Sequence, residues 1–200
     1  KTKQERNKEI IEFLKLDPKK QFFKEGGQGD VYKLIANDQI YVVKEVILSQ
    51  LRSKARELVL REAELANSEL SHTNMLKYLH FELETEKYWE KLRIYTEFAE
   101  QGTLQDYIVT QKKLHAGFQE DFIWYVLISL LSVIGYIHGK NLVHRDIKPS
   151  NIFFCMRGKL CMKLGDFGMS KFQLSNLQTV AGTLEFQAPE VYMDSSYSSR

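Results

Sequence analysis

Between Val143 and Gly168 (VHRDIKPSNIFFCMRGKLCMKLGDFG) stand four side chains able to do chemistry together: Asp146, Lys148, Asn151 and Asp166. The two carboxylates are twenty residues apart, and the sequence between them reads as a pair of strands. Ile152–Met156 and Leu160–Leu164 are rich in residues that favour strands, and Arg157-Gly158 supplies the turn. A hairpin of this kind returns the chain on itself, so Asp146 and Asp166 can end near one place. Two carboxylates, an amide and an ammonium gathered there suit a hard cation that bridges phosphate oxygens.

Three motifs in order then carry a resemblance. His144-Arg145-Asp146, with Asn151 five residues after the aspartate, resembles the catalytic loop of the protein kinases. Asp166-Phe167-Gly168 resembles their metal-binding motif, and Ala188-Pro189-Glu190 the motif that closes their activation segment. One three-letter motif is weak; three in this order and spacing are not an accident. The resemblance covers about residues 20–200. It implies an α+β, two-lobed protein-kinase-like fold: an N-terminal extension at 1–20, a small β-rich N-lobe at 21–98, and a partial helical C-lobe at 99–200 that lacks its last helices. It also implies ATP and Mg²⁺ as cofactors and transfer of the γ-phosphate to Ser/Thr hydroxyls of protein substrates.

The roles follow residue by residue from that resemblance. Asp146 orients the substrate hydroxyl and accepts its proton, and Lys148 neutralises charge on the transferred phosphoryl. Asn151 and Asp166 hold Mg²⁺ across the phosphates. Lys148 within HRDIKP points to the serine/threonine branch rather than the tyrosine branch. NIFF and KLGDFG resemble the NIMA-related kinases within it, while Gly182–Gln187 (GTLEFQ) departs from the form usual there. His144 and Phe167 are read as packing residues that orient the loop.

The remaining elements must position these groups. Lys3–Leu16 scatters Ile10, Ile11, Phe13 and Leu14 among charges and reads as a short helix or tail that Asp17-Pro18 ends. Gln21–Ile35 reads as two strands around Gly26-Gly27-Gln28-Gly29, where small residues let backbone N–H groups approach phosphates. Aligned on Val31, which the resemblance lays over adenine, the family's second and third glycines fall on Gly26 and Gly29. Lys24 takes the place of the first, a departure expected to stiffen the loop and weaken ATP binding.

Ile40–Val46 is a strand with Lys44 inside it, and an ammonium in an apolar strand needs a partner. The resemblance gives Lys44 to the α- and β-phosphates, and Val42, where the family usually has alanine, narrows the adenine pocket. Leu51, Ala55, Leu58, Glu62 and Leu65 step by four and three along one helical stripe. Glu62 is the charge within that stripe and hence the partner sought for Lys44, with Glu64 as the alternative. Met75–Leu83 and Arg93–Phe98 read as further strands joined by a charged turn. By position, Thr96 is then the gatekeeper, Glu97, Phe98 and Ala99 offer backbone groups to adenine as the hinge, and Phe153 completes the nucleotide set. Thr179, four residues before Thr183, is the expected activating phosphosite, with Ser175 as the alternative and Arg145 as the guanidinium that pairs the phosphate.

Composition sets outer bounds. Two hundred residues at 44% hydrophobic content can form one large or two small lobes, and a net charge of +2 carries no bias toward nucleic acid or membrane. Cys155 and Cys161 match no zinc spacing and are expected as reduced cysteines of an intracellular, cytoplasmic protein. Phe122–Ile137 is apolar for sixteen residues, short of the roughly 20 that span a bilayer, and is read as a buried core helix. The chain stops ten residues past Glu190, so a truncated kinase-fold scaffold, binding nucleotide or a partner without efficient transfer, is the alternative function.

Overall fold

The computed structural model describes residues 12, 19–26, 29–36, 39–172 and 184–186. It divides into two compact units, 1–70 with 77–98 and 71–76 with 99–200. The tail expected to fold as a helix at Lys3–Leu16 lies outside the described residues apart from Glu12, which is helical.

In the first unit, runs of β-branched and aromatic residues punctuated by glycine form a five-stranded antiparallel sheet. Its strands are β1 (Lys19–Gly26), β2 (Gly29–Ala36), β3 (Gln39–Ile47), β4 (Tyr78–Thr85) and β5 (Glu90–Glu97), in the order β1-β2-β3-β5-β4. Both faces bury apolar surface. Leu34, Val43, Leu79 and Tyr95 cluster on one, while Val46 sits opposite Leu92 and Lys44 opposite Ile94 on the other. Each side chain so buried contributes about 1.5–3 kcal/mol relative to exposure. Helix α1 (Ser53–Asn67) packs on β4 and β5. Its buried residues are Val59, Glu62, Ala63, Leu65 and Ala66. Of the expected stripe, Glu62 and Leu65 are buried, Ala55 and Leu58 are half-buried, and Leu51 precedes the helix, so the buried face is turned toward Val59 and Ala63.

A charge network that strand-by-strand reading missed crosses this sheet. The Arg93 guanidinium reaches Glu45 and Glu84 at 2.8 and 2.9 Å, and Lys20 reaches Glu45 at 2.9 Å. Burial pushes the Glu45 carboxyl up, but hydrogen bonds from Lys20 and Arg93 outweigh it and hold the group below its ordinary value.

The expected strand Met75–Leu83 is corrected at its start. Strand β4 begins at Tyr78, and the preceding residues are captured elsewhere. Leu76 N–H donates to the Leu164 carbonyl at 2.8 Å, Leu164 N–H to the Asn74 carbonyl at 2.7 Å, and the Asn74 amide to the Met162 carbonyl at 3.0 Å. Residues 71–76 therefore belong to the second unit, although the boundary expected from sequence puts 21–98 together.

The second unit holds α2 (Leu104–Lys113), α3 (Glu120–Gly139), the short pair β6 (Leu142–Val143) and β9 (Lys171–Phe172), and the hairpin β7 (Ile152–Met156) with β8 (Leu160–Leu164). A capping box starts α2: Asp106 N–H donates to Thr103 Oγ1 at 3.2 Å, and Thr103 N–H to Asp106 Oδ2 at 2.8 Å. The hairpin has the expected bounds and turn, where Gly158 takes φ +76°. Besides the bonds from Asn74 and Leu76, it is fastened at two further places. Phe154 exchanges backbone bonds with Gln101 and Gly102, and Tyr125 on α3 takes the Met162 N–H at 2.7 Å while donating to the Leu160 carbonyl at 3.0 Å. Cys155 and Cys161 face each other across it as free thiols.

Helix α3 corrects the core-helix expectation. It runs for 20 residues, and only Val126, Ser129, Val133 and Ile137 are buried on it. Ile123, Trp124, Leu127, Ile128 and Leu131 are 42–62% exposed. Among the described residues it is the one helix long and apolar enough, by length and composition alone, to cross a membrane. Apolar composition told of a greasy helix; it could not tell which face finds a neighbour.

Candidate active site

Each unit carries its own share of the expected groups. In the first, Lys44 Nζ meets Glu62 Oε2 at 2.7 Å, with the two side chains 20% and 6% exposed. Tyr78 Oη–H donates to the other carboxylate oxygen, Oε1, at 3.2 Å. Glu64, the alternative partner, is exposed. Tyr78 was not anticipated, because nothing in a strand's first residue reports a partner on a helix sixteen residues earlier.

The glycine turn is built around a close approach. Gly26, the last residue of β1, pairs with Gly29, the first of β2, and a Cβ on Gly29 would stand 2.2 Å from the Glu45 carbonyl oxygen. That carbonyl belongs to the paired strand β3 and cannot yield, so only glycine fits. In register, Val31 lies opposite Lys44 and Val42 opposite Thr96, which puts these four on one sheet face. Glu97 closes β5, its N–H donating to the Lys77 carbonyl at 3.0 Å, and Phe98 follows it. Gly27 and Gln28 lie outside the described residues.

In the second unit the loop after β6 folds around a buried histidine. Asp146 N–H donates to His144 Nδ1 at 3.3 Å, so the ring's proton sits on Nε2 and is donated to the Gly165 carbonyl at 3.0 Å. Burial, the largest influence, holds the imidazole below its ordinary pKa and keeps it neutral. The ring also packs on Phe167 at 4.6 Å. Arg145 and Asp166 both take left-handed backbone, φ +66° and +58°, a strain of order 1 kcal/mol or more that non-glycine residues carry where surroundings over-determine them.

Three of the expected groups converge on one carboxylate. Asp146 is 8% exposed, and its Oδ2 receives Lys148 Nζ at 2.8 Å and Asn151 Nδ2 at 3.1 Å. Asn151 Nδ2 also donates to the Asp146 carbonyl at 2.8 Å. Asn151 in turn accepts the Gly165 N–H on its own carbonyl at 2.9 Å. Gly165 precedes Asp166, so the hairpin does bring the second aspartate's backbone to the loop of the first. A Cβ at Gly165 would stand 2.9 Å from both Leu76 Cδ2 and Phe153 Cε2, which explains a glycine at this junction.

The donors fit a magnesium ion. Both Nδ2 bonds of Asn151 go to Asp146, so its Oδ1 is left as an oxygen without a partner among the described residues. The Asp166 carboxylate likewise has no hydrogen bond or ion pair there. One amide oxygen and one carboxylate, completed by water and phosphate oxygens, are how Mg²⁺ is usually held. Of the other expected residues, Ala99 begins the second unit's chain after Phe98, and Phe153 lies on β7, bridged to Thr103. Thr179, Ser175 and Ala188-Pro189-Glu190 lie outside the described residues.

The chain matches known proteins along most of its length. The protein kinase domain matches residues 19–200. The chain is 35% identical over 176 residues to the serine/threonine-protein kinase Nek9 of Xenopus laevis, covering 86% of this chain and 18% of that protein. It is 34% identical over 160 residues to the Aurora/IPL1-related protein kinase 2 of Caenorhabditis briggsae, covering 78% and 49%. With the serine/threonine-protein kinase Nek8 of Danio rerio it shares 31% over 163 residues, covering 80% and 22%. The chain thus spans between about a fifth and a half of the length of these relatives.

Proposed function

The chain belongs to the protein kinase family, and we propose that it transfers the γ-phosphate of ATP to serine or threonine hydroxyls of protein substrates. The observation that carries this is the Asp146 carboxylate, held on one oxygen by both Lys148 and Asn151. A carboxylate fixed this way is pre-oriented to take a hydroxyl hydrogen bond and, as transfer proceeds, its proton. Lys148 beside it offers positive charge to the oxygens that gain charge in the transition state. Asn151 Oδ1 and Asp166 would hold Mg²⁺, which supplies neutralisation of the phosphates when bound. Glu62 keeps the Lys44 ammonium extended for the nucleotide's phosphates. Phosphoryl transfer needs little covalent help, so positioning and charge are the chain's whole contribution.

The choice of Ser/Thr over Tyr rests on Lys148 and on relatives that are named serine/threonine kinases. Regulation through phosphorylated Thr179 paired by Arg145 belongs to the same proposal.

Phosphate incorporation from radiolabelled ATP and Mg²⁺ into a generic Ser/Thr substrate tests it. Transfer should fall at least about 100-fold in Asp146→Asn and stop on chelation. A wild-type chain that ATP stabilises against heat but that transfers nothing would reject the proposal and leave the nucleotide-binding scaffold.

A further inference from the structure

Lys33 lies two residues beyond Val31 on β2, opposite Val42, and so shares the sheet face of Val31, Val42 and Lys44. Its ammonium has a specific seat. Nζ stands 4.2 Å from the centroid of the Phe23 ring and 4.5 Å from that of Phe98. The two rings meet edge to face at 6.1 Å and 84°.

A bulge in β1 makes this possible. The register shifts between Phe22 and Lys24, so Phe22 pairs with Tyr32 on the far face while the extra residue, Phe23, turns to the face of Lys33. One cation thereby joins β1 to the residue immediately after β5. Phe23 is 44% exposed, so the cluster sits at the edge of the unit, where losing it need not unfold the sheet. Lys33 is also one register step farther from the glycine turn than Lys44, about 7 Å along the strand, toward the end of β5 rather than toward the phosphates.

We propose that Lys33 is a positioning residue for the nucleotide base: by drawing Phe23 and Phe98 onto one ammonium, it fixes the backbone at Glu97–Phe98. The inference rests on the kinase reading, which gives that backbone to adenine. The attraction needs positive charge over the ring faces, so arginine preserves it and methionine, of similar length, does not.

The test uses the full chain with Lys33→Met and Lys33→Arg. It measures kcat and KM for ATP, and separately the Kd for methylanthraniloyl-ATP by fluorescence. Lys33→Met should raise KM and Kd about three- to tenfold with kcat within about twofold, while Lys33→Arg stays within about twofold of wild type throughout. Adding Lys33→Met to Phe98→Leu should change Kd little further, because the second change removes a contact already lost. Equal effects of methionine and arginine, or an unchanged Kd in Lys33→Met, overturn the inference. So does a fall in kcat and thermal midpoint without a change in KM, the mark of a merely structural lysine. A wild type that binds the fluorescent nucleotide but transfers no phosphate overturns the kinase reading alone, since the Kd ratios still decide what Lys33 does.

Discussion

Removing either partner of the Lys44–Glu62 pair should destabilise the first unit unequally, and removing both charges should cost less than the sum. At 2.7 Å and an effective dielectric of about 20, the gross attraction is about 6 kcal/mol, most of it offset by desolvating the two charges. What remains depends on what each deletion strands. Lys44→Met leaves a carboxylate 6% exposed, with Tyr78 Oη–H as its remaining neighbour at 3.2 Å. Breaking a buried pair costs about 3–5 kcal/mol, and the surviving tyrosine bond lowers that here to about 2–4 kcal/mol. Glu62→Gln keeps an acceptor for Tyr78 and removes the carboxylate from an ammonium on a side chain 20% exposed, which water can reach, for about 1–2 kcal/mol.

The double variant holds no uncompensated charge and should sit about 1–3 kcal/mol above the additive expectation. Urea unfolding at pH 7 measures this. Trp89 lies in the first unit and Trp124 in the second, so fluorescence in a Trp124→Phe background reports the unit that carries the pair. Trp124 is 53% exposed and tolerates the change. Single costs that add to the double within about 0.5 kcal/mol would refute the reasoning. So would a Lys44→Met cost no larger than that of Glu62→Gln.

Two further outcomes are expected. The folded chain holds His144 below its ordinary 6.5, so on acidification the unfolded chain takes up a proton that the folded chain refuses. Stability is then full above about pH 6.5 and falls below it, by up to about 1.4 kcal/mol per pH unit for one such group. His72 is lowered too, by burial and then by Lys163, with the same sign, so unfolding free energies between pH 7.5 and 5 are compared for wild type, His144→Gln and His72→Gln. A His144→Gln slope equal to that of wild type would remove His144 from the account. On α3, Ile137→Ala should cost about 2–5 kcal/mol in urea unfolding, whereas Leu131→Gln, at a site 60% exposed, should stay within about 0.5 kcal/mol. Comparable costs for the two substitutions would mean that the exposed face is not exposed in solution.

Legibility followed the range of the interaction. The β7–β8 hairpin could be read because strand propensity and Arg157-Gly158 are local, and Glu62 could be singled out because a helix's own period shows which of its residues share a face. Residues 71–76 could not be placed. Met75 and Leu76 continue into the apolar run of β4, and what draws them off with the polar residues before them is a set of bonds to Met162 and Leu164, nearly ninety positions later. The Arg93 network was hidden for the same reason, since Glu45, Glu82 and Glu84 become its neighbours only once three strands are in register. Burial of α3 failed differently: composition states what a face would prefer, and only a neighbour decides whether the preference is met.

Gly165 marks the limit most sharply. In sequence it is one small residue before Asp166, indistinguishable from any loop glycine. In the structure its N–H is held by Asn151, its carbonyl takes the His144 proton, and the space for its missing side chain is filled by Leu76 and Phe153. The residues proposed to do the chemistry advertise themselves because their types are costly to bury for any other reason. The residue that joins them does not, because what it contributes is the absence of an atom.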